Sequence, residues 1–577
     1  MVPSSIQDAI TSDVVRCRAH SGPLLWTAAL LMQLLAAVPV LLAETPPLFD
    51  YPNHLSRVHV LLAWDRVAEF RVWFAQSSFL IPNVLSDLIL IGLSSLVGVE
   101  TAGRCLLVLI QALTLGGIVT LGRAATGRAE VWPLFGALLL HNEMSAWGFL
   151  NYGLGLAGLL WGMAAWLGTE GRSRRMQLAL GAVAAMTTFA AHLVAFGLFA
   201  AAVAALEARW AWSTARARGI ATVSGRLAAS GAILLPPMLV FFLASPTGGL
   251  APALMFDPSP FAKLSPYTRL LASGVPAADL AVAIPALVLL GGLAVAGRLT
   301  IDPRLGTVAG IFVLAQLLLP HSALGSYFLD ARIAVAVALV AVAGLRSRTR
   351  AGDARGTRDP AAPATAPAVV LSALVVLVGL RSALLTMQWQ AVEGLARPLL
   401  AALDRVPPGS LVVGTSTVPL EEGRTWLRSR AGYPPDGHVV SYATIRRDAV
   451  TPNIFAREGQ NPLVFRSPVA NLAEVGLPVD GRGAPPGPPM EQDVLDMIAA
   501  AASVRSDLDR VGLRHQALFV AVLHIGCRDW PADLSHGFGT PVEMAACGDH
   551  FSLIRIRAAG AHGSQPSGDP YWDEGTQ

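Results

Sequence analysis

Charge is what this chain has least of. Asp, Glu, Lys and Arg make up 14% of its 577 residues, against about a quarter in an ordinary soluble domain. With 53% hydrophobic residues and a mean hydropathy of +0.53, that scarcity excludes a water-soluble globular protein of usual composition. Lysine is nearly missing: of 42 basic Lys and Arg residues one, Lys263, is a lysine. The net charge of +3 therefore rests on arginine. The arginines fall in short runs between apolar stretches and form no basic patch, so nucleic acid is excluded as a partner. Cysteine is scarce, with four in all. Cys17 and Cys105 precede or sit inside apolar helices, whereas Cys527 and Cys547 lie together in the polar C-terminal region and alone suit a disulfide. A cleavable leader is also lacking. Met1 to His20 is polar, and the apolar run Pro23 to Ala43 is too long for a signal-peptide core and has no clean cleavage site, so it reads as a retained first helix.

What is present is a series of apolar runs separated by arginines, the pattern of a polytopic α-helical membrane protein with about eleven spans. The stretch Phe79 to Val99 is apolar enough to span. Counting it as a span, however, places the loop Arg123 to Arg128 outside, against the positive-inside tendency. Pro82, Asn83, Ser86 and Asp87 near its start suit a helix lying along the surface. The spans then follow as Pro23 to Ala43, Ala102 to Leu121, Val131 to His141 and Tyr152 to Gly168. A short pair splits Met176 to Leu206 near His192, and a seventh runs from Arg226 to Ala244. After an external loop, Ser245 to Pro276, the eighth ends at Arg298 and Arg304 and the ninth runs to Pro320. The tenth ends before the basic linker Arg346 to Arg358, and the last is Ala366 to Met387. This sorting makes the protein multi-pass, with its N-terminus in the cytoplasm and everything after residue 387 outside; the preference for Arg over Lys and the abundance of Ala and Gly suggest a GC-rich bacterial genome, and so a bacterial inner membrane.

Three regions result: a transmembrane domain over 1–387 with an external loop at 44–101, an extracytoplasmic domain over 388–560, and a disordered tail over 561–577. From Gln388 hydrophobicity drops and strand-like runs appear at Ser410 to Val413, Val439 to Tyr442, Ala517 to Leu523 and Phe551 to Arg557, with a helix-like stretch Glu491 to Arg510 between them. This predicts a small α/β domain broken by a loop at Gly481 to Pro489. It contains no phosphate loop, nucleophile elbow or zinc-ligand spacing, so no chemistry is assigned to it.

The first external loop carries the most informative run, Pro46-Pro47-Leu48-Phe49-Asp50-Tyr51-Pro52-Asn53-His54-Leu55-Ser56-Arg57. Asp50, His54 and Arg57 share one helical face at the membrane surface. A carboxylate there can take a proton from an attacking hydroxyl or hold a divalent cation, while His54 and Arg57 can neutralise a leaving phosphate. The plainer reading is that Asp50 caps a surface helix beginning at Tyr51 and Pro52. Other candidates for substrate binding lie at predicted outer turns. Glu143 sits in the turn His141 to Tyr152, where the alternative is an interfacial turn with Trp147 and Tyr152 as belt residues and Asn142 and Asn151 satisfying backbone. His192 faces the same side or is simply a packed histidine. His321, Tyr327, Asp330 and Arg332 cluster where the tenth span begins; Arg332 at that depth needs an anion, either a donor phosphate or Asp330 itself. Lys263, Tyr267 and Arg269 read as solvated charges of the long external loop.

An acidic residue just after the first span, followed by surface helices, resembles the GT-C class of integral-membrane glycosyltransferases, and the run PPLFDYPNHLSR resembles segments of bacterial membrane proteins related to that class. The resemblance covers the layout of about the first 200 residues. It implies a GT-C-like fold and transfer of a sugar from a polyprenyl-phosphate donor, outside the membrane, to a glycan, lipid or protein acceptor, with Asp50 as catalytic base. Many members of the class carry a second acid between the third and fourth helices. Glu143 stands there in place of the usual Asp, which leaves a divalent cation open. Two other functions compete. A lipid-linked-substrate transporter needs polar residues along a mid-membrane path and repeated broken helices, and few of either are visible. A non-catalytic scaffold of glycan assembly needs only the fold and a partner for the C-terminal domain.

Overall fold

The computed structural model describes residues 4–244, 254–348, 365–416, 438–466, 491–527 and 542–557, apart from a few within those ranges. The Gly481 to Pro489 loop, the basic linker beyond 348 and the tail lie outside them. Among the described residues five helices are long and apolar enough to cross a membrane: Pro23–Leu42, Val99–Thr126, Leu150–Gly168, Leu193–Arg218 and Val369–Leu403. Ile220–Ala232 and Leu235–Ala244, bent by 44°, together make up to a sixth. Leu85–Val97, Asp279–Val295 and Pro303–Leu318 are apolar but shorter. The chain is thus a multi-pass membrane protein, and length alone marks fewer spans than the eleven expected.

The helices pack around Leu159, Leu160, Met163, Phe199, Phe312 and Val340. Close approach is made possible by missing side chains: a Cβ on Gly162 would come within 2.8 Å of both Ala184 and Phe199. Such small-residue contacts supply helix association where lipid removes the hydrophobic drive. Outward faces carry exposed Leu30, Leu34, Leu243, Val288 and Leu318, as lipid contact requires. The expected split near His192 is present, with helices Arg174–Ala191 and Leu193–Arg218 on either side of it.

One expected span is corrected. Val131 to His141 is not a spanning α-helix; it holds a 3-10 helix of 8 residues, Trp132–Leu139, a rise of about 16 Å against a hydrocarbon core of about 30 Å. Pro133 at its start and Gly136 within it, packed on Ile118, disfavour a longer α-helix. The segment is enclosed by protein, where irregular backbone is tolerated at membrane depth. It still runs from one end of the bundle to the other. Trp132 Nε1 donates to Ser347 Oγ at 2.9 Å, whereas Ala146 and Trp147 accept from the first-loop amides of Phe49 and Asp50.

Beyond the bundle, the last long helix does not stop at Met387 but continues to Leu403. Its final turns lie under a four-stranded sheet. Leu411–Ser416 runs parallel to Leu518–Leu523, which pairs antiparallel with Phe551–Ile556, and Val542–Gly548 forms the edge. The central strand Leu518–Leu523 is buried throughout. Leu518, Val520 and Val522 face the helix Glu491–Arg510, while Phe519, Ala521 and Leu523 face Leu399, Leu403, Val440 and Tyr442. A strand covered on both sides reads as a continuous apolar run, which is what the sequence carries there. Cys527 and Cys547 are joined by a disulfide, Cα to Cα 5.1 Å, tying the end of the central strand to the edge strand.

Two features differ from expectation. Val439 to Tyr442 is a turn of 3-10 helix, Val439–Ser441, followed by the helix Tyr442–Arg447. Its β-branched pair is used for packing under the sheet, so tertiary contact overrides strand propensity. The C-terminal domain also recruits the first loop. Phe74–Gln76 pairs antiparallel with Leu463–Phe465, and Phe70, Trp73 and Phe74 lie in one core with Val413, Val520 and Ile554.

Trp73 is fully buried, stacks on Phe465 at 6.0 Å and donates from Nε1 to Gln516 at 3.1 Å. Trp73→Ala should cost about 3–5 kcal/mol of the stability of this domain. Limited proteolysis in detergent should cut the region after residue 403 much faster in the variant while the membrane helices stay intact; equal cutting rates would show that the first loop is not part of the domain core.

Candidate functional site

The helix Tyr51–Leu62 begins where expected, with Pro52 in its first turn, and nine of its twelve residues are buried. It is enclosed rather than lying on an open surface. The bundle and the helix Leu85–Val97 lie on one side, and residues 438–455 of the C-terminal domain cover the other. Ser56 Oγ donates to Ser441 O at 2.6 Å, and Ser441 Oγ donates to Asn53 Oδ1 at 2.6 Å. His59 and Arg66 both pair with Asp448, at 2.8 and 2.6 Å.

Asp50 occupies the N-cap position, but its side chain makes no capping hydrogen bond. The plain capping reading therefore fails, because an Asp that caps accepts from the amide of the second or third helical residue. What fixes Asp50 is its backbone. Its amide donates to Trp147 O at 2.9 Å, and the Phe49 amide donates to Ala146 O at 3.2 Å. The turn that receives them needs Gly148, whose φ is +75° and whose added Cβ would lie 2.7 Å from the Tyr51 nitrogen. Two turns far apart in sequence are thus locked together at Asp50.

The carboxyl of Asp50 is 11% exposed and faces three basic residues. Arg57 and Arg332 act on it through space, and His438 Nε2 lies 3.6 Å from Oδ1. Burial pushes Asp50 up to about 8, against the opposing pull of Arg332 and then Arg57. Burial also lowers His438, to about 4, so that it is a neutral imidazole. His438 is held edge-on to Phe49, ring centres 4.4 Å apart.

Arg57, expected at the membrane surface, is wholly enclosed. It donates to Asp87 Oδ1 at 2.7 Å, to His54 Nδ1 at 3.0 Å and to Phe455 O at 3.4 Å. His54 Nδ1 is an acceptor in this arrangement, so Nε2 carries its proton. Burial, then Arg57 and His438, hold His54 well below its ordinary range. Both residues are thereby committed to protein partners. Asp87 itself sits in the first turn of Leu85–Val97, the segment read as a surface helix.

Arg332 lies near the start of the helix Leu329–Ala343. Its Nη1 pairs with His192 Nε2 at 2.9 Å, and its guanidinium stacks over Phe149 at 4.4 Å. Asp330 is not its partner. Asp330 instead receives Lys263 Nζ at 2.9 Å and faces His321 Nδ1 at 3.0 Å. Glu143 begins the short helix Glu143–Ala146, capped by Asn142, and pairs with Arg269 at 3.3 Å. Burial raises Glu143 to about 7, with Arg269 opposing. The charges of the long loop are therefore not solvated: the Lys263 and Arg269 side chains are 13% and 19% exposed and pair with buried acids. Trp147 and Tyr152 are also core residues and not belt residues, since Tyr152 is fully buried and its hydroxyl donates to Arg332 O at 2.5 Å. Tyr327 lies outside the described residues.

The expected residues thus fall into two adjoining groups, one around Asp50 with Arg332 and His192, the other joining Glu143, Asp330 and His321 to Lys263 and Arg269. His438 was not foreseen, because a histidine in a motif-free domain gives no signal of which surface it meets. Among the described residues no three His, Cys, Asp or Glu side chains gather as metal donors. Asp50 is a lone carboxyl among basic groups, a donor set that does not fit a divalent cation. Beside the site, Thr45 to Leu48, Pro52, Glu393, Val439 and Tyr442 line a small groove.

No protein-family model matches the chain, and no curated protein matches it in sequence. The structure is similar to ArnT from Cupriavidus metallidurans bound to undecaprenyl phosphate, with a TM-score of 0.49 at 13% identity over 94% of this chain and 99% of that one. It is similar to the apo state of the same protein at 0.47 and 13% identity, over 96% of this chain and 100% of that chain. It is also similar to arabinofuranosyltransferase AftD from Mycobacteria at 0.47 and 14% identity, over 94% of this chain but 40% of that one. At these values the likeness is one of layout and lends no weight to the role of any residue.

Arg57→Ala would leave Asp87 buried without its partner and should cost about 3–5 kcal/mol. Adding Asp87→Asn should recover a large part of that loss. Thermal unfolding of the single and double variants in detergent checks this; no recovery in the double variant would mean that packing, not charge, sets the cost.

Proposed function

We propose that this chain is a glycosyltransferase that takes a sugar from a polyprenyl-phosphate-linked donor at the extracytoplasmic face of a bacterial inner membrane, with Asp50 as catalytic base. The observation that carries this reading is a buried carboxyl at a helix start, free of any capping bond and fixed by its backbone, with Arg332 acting on it from an adjoining helix.

In this reading the acceptor's hydroxyl or amine loses its proton to an Asp50 oxygen while its oxygen or nitrogen bonds to the anomeric carbon of the donor sugar. The bond from that carbon to the phosphate oxygen breaks, and the electron pair leaves with the polyprenyl phosphate. Arg332 meets the charge that develops there. The apolar helix faces of the bundle take the polyprenyl chain. The sidedness is supported by the Cys527–Cys547 disulfide, which belongs in an oxidising compartment. It is supported too by the arginines at the opposite end of the bundle, where Arg304 and Arg346 gather on Asp302. The C-terminal domain, formed by the residues after 403 together with first-loop residues up to 76, is then extracytoplasmic. The second reading is a non-catalytic scaffold of glycan assembly. The pairing of Glu143 with Arg269 favours it, since the second external acid is already engaged.

Transfer from radiolabelled polyprenyl-phosphate donors, assayed in membranes with matched expression, tests the choice. Asp50→Asn should fall by at least about a hundredfold, the scale of a lost general base, with insertion unchanged. No transfer by the wild type across a broad donor panel would favour the scaffold.

The pH dependence has a definite sign. A base must be ionised to accept a proton, and Asp50 is raised to about 8, so the rate should climb about tenfold per pH unit below that value and level off above it. A rate already flat from pH 5 to 7 would rule out this carboxyl as the base.

A further inference from the structure

The C-terminal domain has no motif of its own, yet it places one imidazole at the centre of the Asp50 site. We propose that His438 is a positioning residue through which this domain completes the site, its Nε2 proton holding the ionised Asp50 carboxylate toward the acceptor. This rests on the transferase reading above and adds a dependence on the C-terminal domain that a site within the membrane helices would lack.

The geometry supports it from several sides. His438 Nε2 and Asp50 Oδ1 are 3.6 Å apart, with the two side chains 7% and 11% exposed. That separation is slightly longer than a hydrogen bond, and catalytic contacts in an unliganded site are commonly loose until charge develops. The basic groups that face Asp50 have other commitments. Arg57 and His54, on its own helix, bond to each other, and Arg57 also holds Asp87. Arg332, from the helix Leu329–Ala343, engages His192. His438 is the group on the C-terminal side, and its ring is aimed by Phe49 at 4.4 Å and Phe455 at 6.2 Å between centres.

The backbone that carries His438 is anchored. Three residues on, Ser441 both donates to Asn53 and accepts from Ser56, on the helix that Asp50 begins. Movement of the domain by even an ångström would therefore be felt at Asp50. Neutral His438 donates one proton and takes none at working pH, since burial keeps it near 4. Its hydrogen bond would favour the ionised form of Asp50 over the protonated one and so oppose the upward push of burial.

The test uses full-length protein in lipid nanodiscs and dicyclohexylcarbodiimide, which adds to protonated, buried carboxyls. Mass spectrometry of the Asp50 peptide across pH gives the pH of half-labelling without any need for turnover. In His438→Ala this midpoint should rise by about one pH unit, the scale of one lost hydrogen bond to a carboxylate. Transfer at pH 7 should fall about tenfold in kcat, because one unit leaves tenfold less ionised base, while KM stays within about twofold. His438→Gln, which keeps an N–H donor, should hold the wild-type midpoint. Should His438→Ala fail to insert, His438→Phe fills the same volume without a donor and should give the same rise. Midpoints unchanged in the Ala or Phe variant, with transfer intact, sink this inference alone. Absence of transfer in the wild type instead removes the transferase reading, whatever the labelling shows.

Discussion

The site depends on a polar helix being enclosed between two bodies. Tyr51–Leu62 carries Asn53, His54, Ser56 and Arg57, all buried, so each must find its partners inside the protein. The cost of leaving one unpaired is high enough to dictate where neighbouring segments go. Arg57 requires Asp87, which pulls the helix Leu85–Val97 against the loop. Asn53 and Ser56 require Ser441, which brings the C-terminal domain down onto the same helix. Asp50 is the exception at the head of this segment. Its backbone is satisfied by the turn at 146–148, while its carboxyl is left to through-space attraction and a loose histidine contact. Asp50 is therefore held in place by its backbone while its carboxyl is not saturated.

The rest of the bundle follows from the contrast between its two ends. One end gathers the partly exposed Arg304 and Arg346 on buried Asp302, with Glu170 pairing to Arg304 and a short two-stranded ribbon between Leu299–Ile301 and Leu345–Ser347. The Arg304–Glu170 pair is of the exposed kind that adds little energy. At the other end the charges are buried, paired with unlike groups from distant segments, and crowded around Phe49, Trp147, Phe149 and Phe328. Between the two ends, apolar helices with glycine contacts supply the packing. The 3-10 segment Trp132–Leu139 crosses among them only because neighbouring helices shield its backbone from lipid.

Much of this was legible before any coordinates. The first apolar helix, the split at His192, the helix Glu491–Arg510, three of the four anticipated strands and the disulfide follow from apolar runs, charge placement and cysteine context, which are local signals. The two turns that meet at Asp50 were each legible as candidates, the first through its run of Asp, His and Arg, the second through Glu143 and its flanking polar residues. Less legible was what each residue would hold. Arg57 and Arg332 both read as anion binders, yet one is closed off by Asp87 and the other stacks on Phe149 beside His192. Asp330 and Arg332, two positions apart, read as a pair, but they point to different partners because helical neighbours at that spacing diverge.

By itself the sequence determined that the chain is a multi-pass helical membrane protein and where most of its C-terminal strands and its disulfide fall, since hydropathy and charge act within a few residues of themselves. Only the tertiary structure decided that residues up to 76 build the core of the C-terminal domain, that Lys263 and Arg269 serve buried acids, and that His438 reaches Asp50. Those contacts join positions distant in sequence, from 67 residues apart for Lys263 and Asp330 upward. They are favoured by the partners they give to polar side chains that the enclosed helix carries inward, a condition that no local pattern records.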